Sequence, residues 1–328
     1  MSLKTQDPAR YSSLRHPGDG FSYDIFSQVG RLARDGERTG ALGLHPEHIV
    51  ALGESQSALF MTTYVNAVDP LAKVYDGFLV HSRFAPAAPL DGASIFEASG
   101  APLPAAVRFR PDLRVPVFTV ITETDLVGGP GAGYHLARQP GDDRLRTWEI
   151  AGTAHADNYT IQVARIDTGS APLDDLAAAY APTKTLMGQE LAHAINFAPQ
   201  HHYVLQAALA ALHSWVRTGE PAPHAPRIEL SDADPPVLVL DAHGLAEGGI
   251  RTPCIDVPTA RTSGLGTDDS PLSVLFGTGE VFDTATLRRL YPGGTADYLE
   301  RFEAALDTAI RSGFIVPADR AEIVELAA

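Results

Sequence analysis

Four short apolar runs at 49–52, 74–81, 115–121 and 144–150 read as strands. The first is apolar throughout, as expected of a parallel strand covered on both faces. Helical spacing appears in 21–34 through Phe21, Ile25, Val29 and Leu32, and again in 58–64. Further helices are expected at 183–194, 202–217 and 296–313, the second of these stopped by Gly219-Glu-Pro. Loops are expected at 1–20, 40–47, 84–104 and 128–133, where proline, glycine and small polar residues gather. The glycines of 128–133 lack the spacing of a phosphate cradle, and no Gly-Lys-Ser/Thr follows them. Strands separated by helical or loop crossovers predict a parallel α/β sheet.

Beyond residue 220 the pattern changes to turns and short strands such as 236–240. The expected organisation is a partial α/β core over 1–219. Within it, a lid segment spans 158–200, and an accessory extension over 220–328 packs on the core.

Composition narrows the partners. The 328 residues are 45 % hydrophobic, which supports a sizeable core, and 40 acidic against 25 basic residues give a formal net charge of −15. That balance argues against nucleic acid and anionic membrane surfaces. The single cysteine, Cys254, excludes an intramolecular disulfide and reads as packing rather than as a nucleophile. The polar start carries no signal-peptide core and no run is long enough to cross a bilayer, so the compartment is left open, with the cytoplasm as default.

The chemistry starts at Gly53-Glu-Ser-Gln-Ser57, directly after the first strand. Small residues two places either side of Ser55 allow strand and helix to pack closely behind a sharp turn that lifts one hydroxyl clear. This is the nucleophile-elbow pattern, usually G-x-S-x-G. A serine that caps the following helix is the bland alternative.

A serine hydroxyl is a weak nucleophile and needs a histidine base oriented by a carboxylate. Glu123 and Asp125 follow the third strand and His155 follows the fourth, in the order serine, acid, histidine. Ends of parallel strands open onto one crevice, so these residues can converge there. Asp125 is the preferred acid from its offset after the third strand, with Glu123 as the alternative. Gln56 N–H should supply one oxyanion donor. The second normally comes from a loop after an earlier strand, which the sequence does not show. This chemistry needs no metal or organic cofactor and a small-molecule ester as substrate. His81 reads as structural, while His201 and His202 open a helix from which one could face the site.

The segments Leu52-Gly-Glu-Ser-Gln-Ser57, Trp148-Glu-Ile-Ala-Gly-Thr-Ala-His-Ala-Asp157 and Gly248-Gly-Ile-Arg-Thr-Pro-Cys-Ile-Asp-Val-Pro258 resemble a bacterial α/β-hydrolase-domain family whose substrates are mostly unknown. The resemblance extends to 10–19, 199–201 and 302–317. It implies a serine esterase with Ser55 and His155 in the catalytic places. It also implies early strands that this chain lacks, so that either residues 1–45 replace them or the chain is a fragment. An uncovered edge at 49–52 would then favour a homo-oligomer.

Overall fold

The computed structural model describes residues 2–36, 45–91, 106–128, 132–266 and 273–328. Four parallel strands form the centre in sequential order: β1 (Val50–Glu54), β2 (Gly77–His81), β3 (Val117–Thr122) and β4 (Leu145–Ile150). All four strand expectations are met within a few residues.

Every residue of β2 and β3 is buried. Successive side chains alternate between the faces. Phe78 and Val80 join Met61, Tyr64, Tyr75 and Val117 on one side. Leu79, Phe118, Val120 and Trp148 meet the second layer on the other.

Helix α1 (Ser22–Arg34) and helix α2 (Gln56–Thr63) serve the first face. A short helix, α3 (Glu123–Val127), starts directly from β3. Farther along come α4 (Leu173–Tyr180) and α5 (Gln200–Thr218). Helix α5 lays Val204, Ala207, Ala208, Leu212 and Trp215 on the second face. Removing the larger of these, such as Val204 and Leu212, from water contributes about 1.5–3 kcal/mol each, which fixes α5 against the sheet. It ends where Gly219, at φ 81°, turns its N–H back to Trp215 O.

Three expectations need correction. Residues 1–20 are not all loop: helical turns occupy Leu3–Gln6 and Pro8–Tyr11. The helix expected over 183–194 is a hairpin of β5 (Thr185–Leu186) and β6 (Gln189–Glu190). Its turn is Met187-Gly188, with φ 52° and 84°, a conformation that helix cannot continue. The strand expected at 236–240 is reduced to single bridges, Leu230 with Leu238 and Leu240 with Ala246. Parts of the loops expected at 40–47, 84–104 and 128–133 lie outside the described residues.

The stretch after 220 joins the sheet. Ile250 forms a parallel bridge with Ile150 of β4, receiving a hydrogen bond from Ala151 N and donating one to Glu149 O. Strands β7 (Ala260–Ser263) and β8 (Thr278–Val281) form a hairpin. Helix α6 (Thr295–Arg311) packs Phe302 and Leu306 with Tyr203 of α5. At the opposite margin, β1 pairs only with β2 among the described residues, and Leu52 is half exposed.

Candidate active site

Ser55 occupies the turn between β1 and α2 at φ 54°, ψ −119°. A non-glycine residue holds that backbone only where its surroundings over-determine it. Two features do so. Ser55 N–H donates to His81 O at 3.1 Å, tying the turn to the end of β2. A side chain on Gly53 would bring its Cβ to 2.8 Å from the Ser57 carbonyl oxygen, so strand and helix approach this closely only with glycine there.

The serine hydroxyl lies 2.8 Å from His155 Nε2, and His155 Nδ1 lies 2.6 Å from Asp125 Oδ1. The structure therefore brings together Ser55, His155 and Asp125, residues up to 100 positions apart. Asp125 is fully buried. Its second oxygen, Oδ2, accepts from Thr122 N at 3.1 Å and Thr122 Oγ1 at 2.7 Å. Thr122 and Asp125 cap the first turn of α3 reciprocally, so the same bonds that start the helix aim Oδ1 at the imidazole.

Glu123 does not reach His155. Its Oε1 accepts from Gly152 N, and its Oε2 accepts from Gly264 N at 2.7 Å and Ser263 Oγ at 3.2 Å. Both oxygens of this second candidate acid are thus engaged with the turn after β4 and with the end of β7, while the imidazole faces Asp125. Burial pushes this carboxyl up to about 7, against the pull of those donors.

The histidine loop is tied down in the same region. His155 N donates to Thr124 Oγ1 at 3.1 Å, and Thr124 Oγ1 donates to Gly264 O. Asn196 Nδ2 bridges Gly152 O and Ser263 O at 2.8 and 3.1 Å. A Cβ on Gly264 would come within 2.3 Å of Thr153 O, so this contact too requires glycine.

Burial, the largest influence on His155, favours its neutral ring. The Asp125 carboxylate and its hydrogen bond, with Glu54 beyond, outweigh it and raise the pKa above the ordinary 6.5. Phe84 stacks on the imidazole at a centroid distance of 5.3 Å and an interplanar angle of 17°. The neighbouring Arg83 is buried and donates to the carbonyls of Phe84, Ala85 and Val107. It holds the loop that carries the stacking ring. Neither residue was singled out by pattern, and an arginine in an apolar, proline-rich stretch was the only signal.

Gln56 is the first residue of α2, where helix geometry leaves the N–H without an intrahelical acceptor. That donor stands directly after the nucleophile. His81 and His201 meet with their Nε2 atoms 2.6 Å apart, beside Glu54 and Asp157. Burial pushes the Cys254 thiol up to about 11, which disfavours the thiolate. Among the described residues no cluster of histidine, cysteine and carboxylate side chains has the geometry to hold a metal ion, and no helix is long and apolar enough to cross a membrane.

A family model described as an alpha/beta hydrolase domain matches residues 1–325. No curated protein and no solved structure matches the chain significantly.

Proposed function

The chain belongs to the alpha/beta hydrolase domain family, and on that premise we propose that it cleaves carboxylic esters through an acyl-enzyme intermediate. The single observation that carries this reading is the unbroken hydrogen-bonded chain from Ser55 Oγ through His155 to Asp125.

In this mechanism the Ser55 oxygen attacks the ester carbonyl while His155 Nε2 takes its proton. Asp125 holds the imidazole with Nδ1–H toward itself and stabilises the cation that forms. Gln56 N–H donates to the tetrahedral oxyanion. Collapse breaks the bond to the alcohol oxygen, which leaves with the proton from His155 Nε2. Water, deprotonated by the same nitrogen, then attacks the acyl-serine and releases the acid. No metal or organic cofactor enters any step.

Residues 158–200 act as the cover of the site in this reading, since Tyr159, Thr160 and Ala164 line the cavity beside Glu54 and Asp157. The stretch 220–328 serves as an accessory layer, since Ser263 and Gly264 donate to Glu123, which also accepts from Gly152 in the turn leading to His155.

A binding module without turnover is the second reading. The observation in its favour is the unpaired outer side of β1 among the described residues, the side from which a second oxyanion donor ordinarily comes. Labelling by a fluorophosphonate probe separates the two. The esterase reading expects covalent labelling of the wild type and none of Ser55→Ala, together with p-nitrophenyl butyrate turnover that His155→Ala abolishes. Equal labelling of wild type and Ser55→Ala would overturn it.

A further inference from the structure

A cavity of about 210 Å³ adjoins the nucleophile. Its walls include Glu54, His81, Asp157, His201 and His202. Glu54 precedes Ser55, Asp157 follows His155 by two residues, and Ser55 N–H is bonded to His81 O. The cavity therefore lies beside the backbone that carries Ser55 and His155.

Four of these groups form a line that is one proton short. The two imidazoles share an Nε2–Nε2 contact of 2.6 Å, which consumes one N–H. Two neutral imidazoles carry only two N–H groups between them. One remains for the two outward-facing Nδ1 atoms. His81 Nδ1 lies 3.9 Å from Glu54 Oε1, and His201 Nδ1 lies 3.8 Å from Asp157 Oδ2. Whichever tautomers are chosen, one carboxylate faces a bare ring nitrogen. Both separations exceed hydrogen-bond range, and each suits one intervening donor.

A second observation points the same way. His81 is 3 % exposed, and its Nδ1 has no hydrogen-bond partner. A buried polar atom left unpaired costs about 1–3 kcal/mol, which a ligand donor would recover. The charge of the lining sets the ligand's sign. Among the described residues, the walls hold two carboxylates and neither lysine nor arginine. Burial and the neighbouring imidazoles hold His81 in its neutral form.

We propose that this cavity is a subsite for a cationic, hydrogen-bond-donating group on the alcohol portion of the substrate, a protonated amine set between His81 Nδ1 and the Glu54 carboxylate. The assignment rests on the esterase reading and gives it a substrate class, esters of amino alcohols. A carboxylate-bearing alcohol would meet like charge and bare acceptors and would be disfavoured.

The test compares 2-(dimethylamino)ethyl butyrate, protonated near neutral pH, with its uncharged isostere 3-methylbutyl butyrate, followed by acid release at pH 7. The expected ratio of kcat/KM favours the cationic ester by about tenfold or more, the size of one charge-assisted hydrogen bond. Glu54→Gln, at a half-exposed position, should reduce that ratio to about twofold or less. N,N-dimethylethanolamine should also shift the His81 ring signals in the NMR spectrum of Ser55→Ala, which reads the subsite without turnover. Equal kcat/KM for the two esters in an enzyme that turns over p-nitrophenyl butyrate would overturn the subsite and leave the esterase reading standing. Shifted His81 signals in a protein that neither labels nor turns over would uphold the cation site and overturn the esterase reading. Absence of both binding and turnover would overturn the two together.

Discussion

Asp125 and Glu123 stand two residues apart on one helical turn, yet their carboxylates serve different partners. Asp125 Oδ1 is 2.6 Å from His155 Nδ1, whereas Glu123 bridges the backbone N–H groups of Gly152 and Gly264. The division yields opposite phenotypes. Asp125→Asn can present an amide donor to Nδ1 and favour the wrong tautomer, so kcat should fall about 10³- to 10⁴-fold, the size seen when a triad aspartate is so replaced. Its melting temperature should move little by comparison. Glu123→Gln places an NH₂ against a backbone N–H whichever way the amide is turned, because each oxygen of Glu123 already accepts one. The expected loss is about 2 kcal/mol of stability, read by chemical denaturation. Catalytic loss in Glu123→Gln with unchanged stability would contradict this division.

The pH profile follows from His155. The general base must be neutral, so kcat/KM should fall as the medium is acidified through the pKa of the free enzyme's imidazole. Because Asp125 and Glu54 raise that pKa, the acidic limb should have its midpoint above 6.5. Glu54→Gln removes one raising influence and should move the midpoint down. A midpoint below 6.5 in the wild type would show that burial, which favours the neutral ring, prevails.

Phe84 stacks on the imidazole face while Arg83 fixes the loop behind it. The ring limits the orientations open to His155 and excludes water from one side of it. Phe84→Ala should reduce kcat/KM by about five- to tenfold, in line with an aromatic contact of about 1 kcal/mol. Phe84→Tyr keeps the stacked face and should restore most of the rate. Equal defects in the two variants, measured with p-nitrophenyl butyrate, would remove the stacking from the account.

What the sequence disclosed and what it hid divides along contact range. The strands at 49–52, 74–81, 115–121 and 144–150 were legible because buried parallel strands write themselves as short apolar runs. Ser55 was legible because a sharp turn between strand and helix restricts its flanks to small residues. Met187-Gly188 broke the helix expected at 183–194 through turn chemistry that helical spacing around it obscured. The offset after the third strand favoured Asp125 over Glu123, but the contacts that separate them, Thr122 capping α3 and Gly264, 141 positions from Glu123, are encoded by no local period. The same holds for the His81–His201 pair, 120 positions apart.

The outer side of β1 supplies the last prediction. Among the described residues nothing pairs beyond it, and Leu52 projects half exposed from the strand. A groove of about 450 Å³ lies beside it, lined by Leu52, Phe60, Met61, Tyr23, Phe26 and Tyr64. An uncovered strand offers a row of N–H and C=O groups to another chain. Two copies paired antiparallel along β1 would continue the sheet across a two-fold axis, with each Leu52 near the partner's groove. A concentration-dependent dimer is therefore expected in sedimentation velocity. Leu52→Lys should shift the population toward monomer, since a charge on an edge strand opposes edge-to-edge pairing. Amide exchange adds a reading at residue level: Val50 and Glu54, whose N–H groups face away from β2, should become slower as protein concentration rises in the wild type but not in Leu52→Lys. A monomer at all concentrations, with exchange at these amides unchanged, would remove the edge as an association surface.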